Sequence, residues 1–196
     1  MPPSPRTFEA TVIRRYPHPI ARVYRAWTSV EHIEQWFRPF DDVTLTVEQF
    51  DLREGGDYFF RYTWPESQYL FSGARPSLGA AGSSSSNVHD FPDTPSPSRP
   101  AAPKDGRAPL NTYEGHFPVR GKFLTIRPEH SLIFSWEPQE PDPDAGKETM
   151  VSVFFRALDA GHTEIEVRHT LFPDESMRQR HDEGWNATLD RLSRHL

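Results

Sequence analysis

The stretch YPHPIARVYRAWTSVEHIEQWFRP, Tyr16 to Pro39, decides the fold. It reads as two short helices set end to end, with aromatic residues gathered on one side. Pro19 suits a first helical position, because its missing N–H would find no intrahelical partner there and its φ is preset. Ile20, Val23, Tyr24 and Trp27 follow the i, i+3, i+4, i+7 rule and form one apolar stripe, while Arg22 and Arg25 point elsewhere. Ser29 can cap a second helix, with Glu31 in its first turn where the helix dipole favours a carboxylate. Ile33, Trp36 and Phe37 supply the apolar side of that helix. It must stop by Arg38, since the residue before Pro39 is pushed out of the α region. Burying each large aromatic contributes roughly 1.5–3 kcal/mol, so the segment requires a large apolar partner.

Strands on either side supply that partner. Phe8, Ala10 and Val12 alternate with Glu9 and Thr11 as a half-buried first strand. Val43, Leu45 and Val47 alternate with Thr44, Thr46 and Glu48 as a second. Gly55-Gly56 then reverses the chain as a hairpin. In the third strand Tyr58, Phe60, Tyr62 and Trp64 share one face. Strand texture resumes at Tyr113, and Gly121–Ile126, Leu132–Trp136, Met150–Ala157 and Thr163–Leu171 read as four more strands. The turns between them lie at Arg127-Pro128-Glu129, in the acidic Pro-rich loop Glu137–Glu148, and at Asp159-Ala160-Gly161. Asp174 caps a long last helix in which Met177, His181, Trp185, Leu189, Leu192 and Leu196 line one side. Gly184 in mid-helix costs roughly 1 kcal/mol against alanine, which points to a close approach by a neighbour or ligand. The predicted order is strand, two short helices, six strands and a long helix. That is an α+β architecture in which a curved antiparallel sheet of about seven strands wraps around the C-terminal helix.

Between the third and fourth strands the texture changes. From Gly73 to Asn111, 24 of 39 residues are Pro, Gly, Ser or Ala. Such a segment buries too little apolar surface to offset its ordering entropy, so 73–111 is expected to be a disordered insertion in a single domain spanning 1–196. A hairpin tip can carry it, because closure entropy grows slowly with loop length. The apolar fraction of 35% is low for a globular chain, and the deficit is concentrated here.

Composition also narrows function. There is no cysteine, hence no disulfide framework and no thiolate chemistry. The net charge of −6 comes without a basic block, which argues against a nucleic-acid partner. No apolar leader or membrane-length run is present, so a soluble, cytoplasmic protein with no membrane association is expected. The nine histidines show no HExxH or similar zinc spacing. Gly55-Gly56 lacks the Lys-Ser/Thr of a phosphate loop, and no GxSxG elbow occurs. No metal and no cofactor are expected. Glu31 and Glu34, three apart on a helix, are expected to face solvent.

The string VIRRYPHPIARVYRAWTSVEHIEQWF resembles the opening of the domain found in activators of the heat-shock chaperone ATPase. This AHSA-type domain belongs to the START-like, or SRPBCC, superfamily with a helix-grip fold. FDLREGGDYFF, GKFLTIRPEHSLIFSW, the Thr163–His169 strand running into RHTLFP, and EGWNATLDRLSRHL match further along in the right order. The resemblance covers nearly the whole chain outside the insertion. Two departures stand out: the insertion itself, and Thr125 where the family often has a carboxylate. The resemblance implies a cavity between sheet and last helix, used across the superfamily for hydrophobic small molecules. Trp27, Trp36, Tyr58, Phe60, Tyr62, Trp136, His169, His181 and Trp185 are the candidate ligand-binding residues. An apolar lining reads the same in a filled core and in a cavity wall, and both readings stay open.

His169 shares parity with Thr163, Ile165 and Val167 and so faces the interior. There it is the catalytic candidate, a general base or a partner for a ligand's polar group, or else a core histidine satisfied by a neighbour. His181, four residues before Trp185, is placed to meet it. Three function classes fit. The leading one is binding of a hydrophobic small molecule without catalysis. The second is a cyclase/aromatase-type enzyme using His169 and a tyrosine. The third is a co-chaperone-like activator with a heat-shock ATPase as partner, although the family's chaperone activators carry an additional domain not visible here. Neither the ligand nor the oligomeric state can be read from the sequence.

Overall fold

The computed structural model describes residues 8–64 and 115–196, and the predicted insertion 73–111 lies outside the described residues. β1 (Phe8–Tyr16) leads into α1 (Ile20–Thr28) and α2 (Val30–Trp36). Then come β2 (Thr44–Phe50), β3 (Asp57–Thr63), β4 (His116–Arg127), β5 (Ser131–Pro138), β6 (Thr149–Ala157), β7 (Thr163–Phe172) and α3 (Glu175–His195). The strands form one seven-stranded sheet in the order β1-β7-β6-β5-β4-β3-β2, with every neighbouring pair antiparallel. This is the α+β helix-grip architecture expected from the alternation and turn signals. Only the β1–β7 pairing is not a hairpin, and it brings the first strand beside the last.

The helix pair forms where the apolar spacing places it, with Val23, Ala26, Trp27, Ile33, Trp36 and Phe37 buried against the sheet. Three local expectations are corrected. Pro19 is the N-cap of α1, with an extended ψ of 149°, and its carbonyl accepts from the N–H groups of Arg22 and Val23. Ser29 is the N-cap of α2, but its side chain makes no capping bond; its carbonyl receives His32 and Ile33 instead. Glu34 does not simply face solvent. Its Oε1 accepts from the Val47 N–H at 2.8 Å and so occupies a backbone donor on the outermost strand, β2.

Asp174 caps α3 as expected, accepting from the Met177 N–H at 2.8 Å. Met177, Trp185, Leu189 and Leu192 are buried along one side of α3. Tyr16 Oη donates to the Leu189 carbonyl at 3.1 Å, Arg14 donates to Asn186 Oδ1 at 2.8 Å, and Arg191 donates to the Arg38 carbonyl at 3.1 Å. These bonds tie α3 to β1 and to the end of α2. The reading of Gly184 is overturned, because a Cβ built there would meet nothing within 4 Å.

Strand parity holds through His169 and then breaks. Leu171 adopts φ +68° and is exposed, while Phe172 turns inward. The β1–β7 register shifts between Phe8 and Ala10 at the same place, so the irregularity exchanges the two side chains. Gly121 is required by close packing. A Cβ there would lie 2.1 Å from the Ser135 carbonyl oxygen and 2.5 Å from Tyr58 Oη.

Candidate functional site

The interior between sheet and helices is aromatic, and it divides into two groups. Trp27, Trp36, Tyr58 and Phe60, all predicted, line a cavity beneath α1 and α2 with a volume of about 20 Å³. Phe37, Phe123 and Phe134, which the sequence reading did not assign to a site, complete much of the wall. Their signal was present as inward parity on β4 and β5 and as the last apolar position after α2. Trp27 and Trp36 meet edge to face at 4.8 Å between centroids, and Phe37 packs at 5.7 Å against Phe60. About 20 Å³ is room for one water-sized body, far below the 300–1,000 Å³ of a typical ligand pocket. In this conformation this cavity is too small for a drug-sized ligand.

The second group lies at the seam of β6, β7 and α3. Trp136, His169, His181 and Trp185 come together there, as their parities and helical spacing suggested. The His169 and His181 rings are 4.8 Å apart at their centroids. Tyr62 joins neither group and packs on Phe117 at 5.8 Å. Trp185 stacks on Trp27 at 6.2 Å and links the two halves.

The hydrogen bonds at the seam form a closed chain. Trp185 Nε1–H donates to His169 Nδ1 at 3.0 Å, which leaves the ring proton of a neutral imidazole on Nε2. His169 Nε2–H then meets Thr149 Oγ1 at 2.7 Å, and the Thr149 hydroxyl donates to the Trp136 carbonyl at 2.9 Å. His169 is fully buried, and that burial, with His181 beside it, holds its pKa well below the ordinary histidine value. Both ring nitrogens are therefore occupied by protein, the arrangement of a satisfied core histidine. Thr149 was missed by the sequence reading, although it shares inward parity with Val151, Val153 and Phe155. His181 donates from Nδ1 to the Met177 carbonyl at 2.9 Å, and burial lowers its pKa as well.

Above the seam, the β5–β6 loop is bound to α3 by Asp144, which pairs with Arg180 and, at 2.7 Å, with Lys147. Burial works against the Asp144 charge, but the bonds from Lys147 and Arg180 outweigh it and hold the carboxyl below its usual range. Asp142 in the same loop is pushed up to about 6 by burial.

The cavity treats its polar atoms differently. Trp36 Nε1–H donates to the Ala26 carbonyl at 2.9 Å, and Tyr58 Oη–H donates to the Ser135 carbonyl at 2.6 Å. Trp27 Nε1–H is buried and has no partner, as is Trp136 Nε1–H at the seam. Among the described residues, no group of three or more His, Cys, Asp or Glu stands together to hold a metal ion. No helix among them is long and apolar enough to cross a membrane.

A family model described as "Activator of Hsp90 ATPase homolog 1-like protein" matches residues 17–74 and 97–196. No curated protein matches the chain. Similar solved structures include a protein from Chromobacterium violaceum, with 15% identity and a TM-score of 0.62, the alignment covering 97% of this chain and 96% of that one. A protein from Silicibacter pomeroyi, whose name carries the same family label, has 17% identity and a TM-score of 0.62, with 95% and 96% covered. One from Staphylococcus epidermidis has 18% identity and a TM-score of 0.62, with 100% and 93% covered. At these identities the likeness shows the fold alone.

Proposed function

The chain belongs to the family of Activator of Hsp90 ATPase homolog 1-like proteins, START-like in fold, and on that premise we propose that it binds a small apolar molecule between the sheet and the helices. The observation that carries this reading is that Trp27, one of the residues lining an aromatic cavity, has a buried indole N–H with no partner. A buried donor left without an acceptor costs about 1–3 kcal/mol, a cost that an aromatic side chain without an N–H would not carry. Trp36, its edge-to-face neighbour, makes its bond. A ligand that supplies the missing acceptor gives the Trp27 indole a use that packing does not.

The cavity of about 20 Å³ is smaller than any such ligand. Uptake therefore requires the aromatic wall to part. Phe37 is suited to move: it follows the last residue of the seven-residue α2, and its ring contacts Trp27, Trp36 and Trp185. Catalysis through His169 is not part of the proposal, since its two nitrogens are engaged by Trp185 and Thr149.

The test is native mass spectrometry of the purified protein, followed by titration of its tryptophan fluorescence with the neutral probe Nile red, which carries no hydrogen-bond donor. A co-purified small molecule, or a saturable response at one site per chain, is the expected result. A ligand-free mass and no response would leave a packed core and remove the proposal.

A further inference from the structure

Resting on that binding reading, we infer that the ligand is an uncharged hydrogen-bond acceptor, a ketone, ester or quinone on a flat apolar body, whose oxygen takes the Trp27 N–H. The inference follows from which polar atoms of the interior are already engaged. Four interior acceptors already have a donor. The Ala26 carbonyl has Trp36, the Ser135 carbonyl has Tyr58, the Trp136 carbonyl has Thr149, and His169 Nδ1 has Trp185. Among the described residues, the buried side-chain polar atoms left without a partner are all donors, the indole N–H groups of Trp27 and Trp136 and the Arg38 Nε–H, and of these three residues only Trp27 lines the cavity. An alcohol, phenol or amine brings a donor of its own, which such an interior would strand.

A charge is disfavoured for a separate reason. The cavity is lined by aromatic and aliphatic side chains with no ionised group among them. A carboxylate there would lose its hydration and gain no counter-charge. Water is a poor substitute for the ligand. The space fits one molecule, but a buried water needs two to four polar partners, and the wall has one unengaged donor, Trp27. An oxygen carried by an apolar body needs only one.

Four naphthalenes of similar size separate the possibilities: 2-acetylnaphthalene, 2-ethylnaphthalene, 2-naphthol and 2-naphthoate, measured by equilibrium dialysis against the full chain. The ketone is expected to bind about tenfold tighter than the hydrocarbon, and tighter than the naphthol or the naphthoate. In Trp27→Phe the preference for ketone over hydrocarbon should fall to near unity, whatever the change in hydrocarbon affinity, because the ratio of the two affinities is what the N–H sets. The wild-type series needs no variant, and far-ultraviolet circular dichroism checks that Trp27→Phe is folded. Equal binding of ketone and hydrocarbon overturns the inference and leaves apolar binding standing. Tighter binding of the naphthol or naphthoate overturns it, as does a preference that survives in Trp27→Phe. If none of the four binds, apolar binding and this inference fall together.

Discussion

The seam between β7 and α3 and the cavity beneath α1 and α2 are built from the same kinds of residue, buried rings bearing N–H groups. At the seam, His169 joins Trp185, Thr149 and the Trp136 carbonyl in an unbroken chain of hydrogen bonds. Across the Trp27–Trp185 stack, the Trp27 indole N–H has no hydrogen-bond partner. Each region keeps one indole N–H without a partner, Trp136 at the seam and Trp27 at the cavity, but only the seam carries the linked chain that holds β6, β7 and α3 together. On the proposed binding reading, a ligand gains more from the Trp27 N–H than from the buried histidine, whose two nitrogens are engaged.

The largest effect should come from cutting the chain at the seam. His169→Ala leaves the Trp185 N–H unpaired, removes the Thr149 contact and opens a cavity, so a loss of about 3–5 kcal/mol is expected in urea denaturation. A loss below 1 kcal/mol would erase the contrast between the regions.

The seam should also be sensitive to acid. Burial lowers the folded pKa of His169 and His181, and that of His195, which lies next to His32, shifts the same way. A folded value below the unfolded value of about 6.5 means that the unfolded chain binds more protons as pH drops past that point. The stability contributed is then complete above about pH 6.5 and is lost as pH falls towards the folded value, at up to about 1.4 kcal/mol per pH unit per histidine. Asp142 acts in the opposite sense between about pH 4 and 6, since its raised pKa favours the protonated folded state. Urea midpoints at pH 7.5 and 5.5 should show the net loss, and His169→Phe should flatten the slope by about 1 kcal/mol per pH unit. An unchanged slope in that variant would mean that His169 does not carry the effect.

Two substitutions of identical chemistry divide the cavity wall itself. Trp36→Phe strands the Ala26 carbonyl and should cost about 1–3 kcal/mol. Trp27→Phe removes an N–H that bonds to nothing, so it should lose only the packing of the larger ring and lower the thermal midpoint of the ligand-free protein less than Trp36→Phe does. Equal destabilisation by the two would show that Trp27 has a partner within the protein.

Most of the frame was legible in the sequence because it follows from periodicity. Alternation located all seven strands, the i, i+4 stripe located α3, and parity turned His169 inward. What periodicity could not provide was partnership across the sheet. Thr149 and His169 lie twenty residues apart in sequence and meet only through the β6–β7 register. The same limit hid Glu34, whose bond to Val47 depends on how α2 lies across β2. Apolar rings look alike as core or cavity wall, so the division of nine candidate residues into two groups with Tyr62 apart needed coordinates. Gly184 misled because a propensity cost was read as a packing requirement, where space is open. Leu171 and Phe172 exchange places at an irregularity that simple alternation does not contain.

The bond from Glu34 to the Val47 N–H bears on self-association. β2 ends the sheet, and a terminal strand offers unpaired backbone groups to any other extended chain. A carboxylate seated on one of those groups interrupts the row and brings a negative charge to it. Losing it, as in Glu34→Ala, would leave that stretch of the edge open to strand addition. At high protein concentration the variant would then be the one to form sheet-linked oligomers.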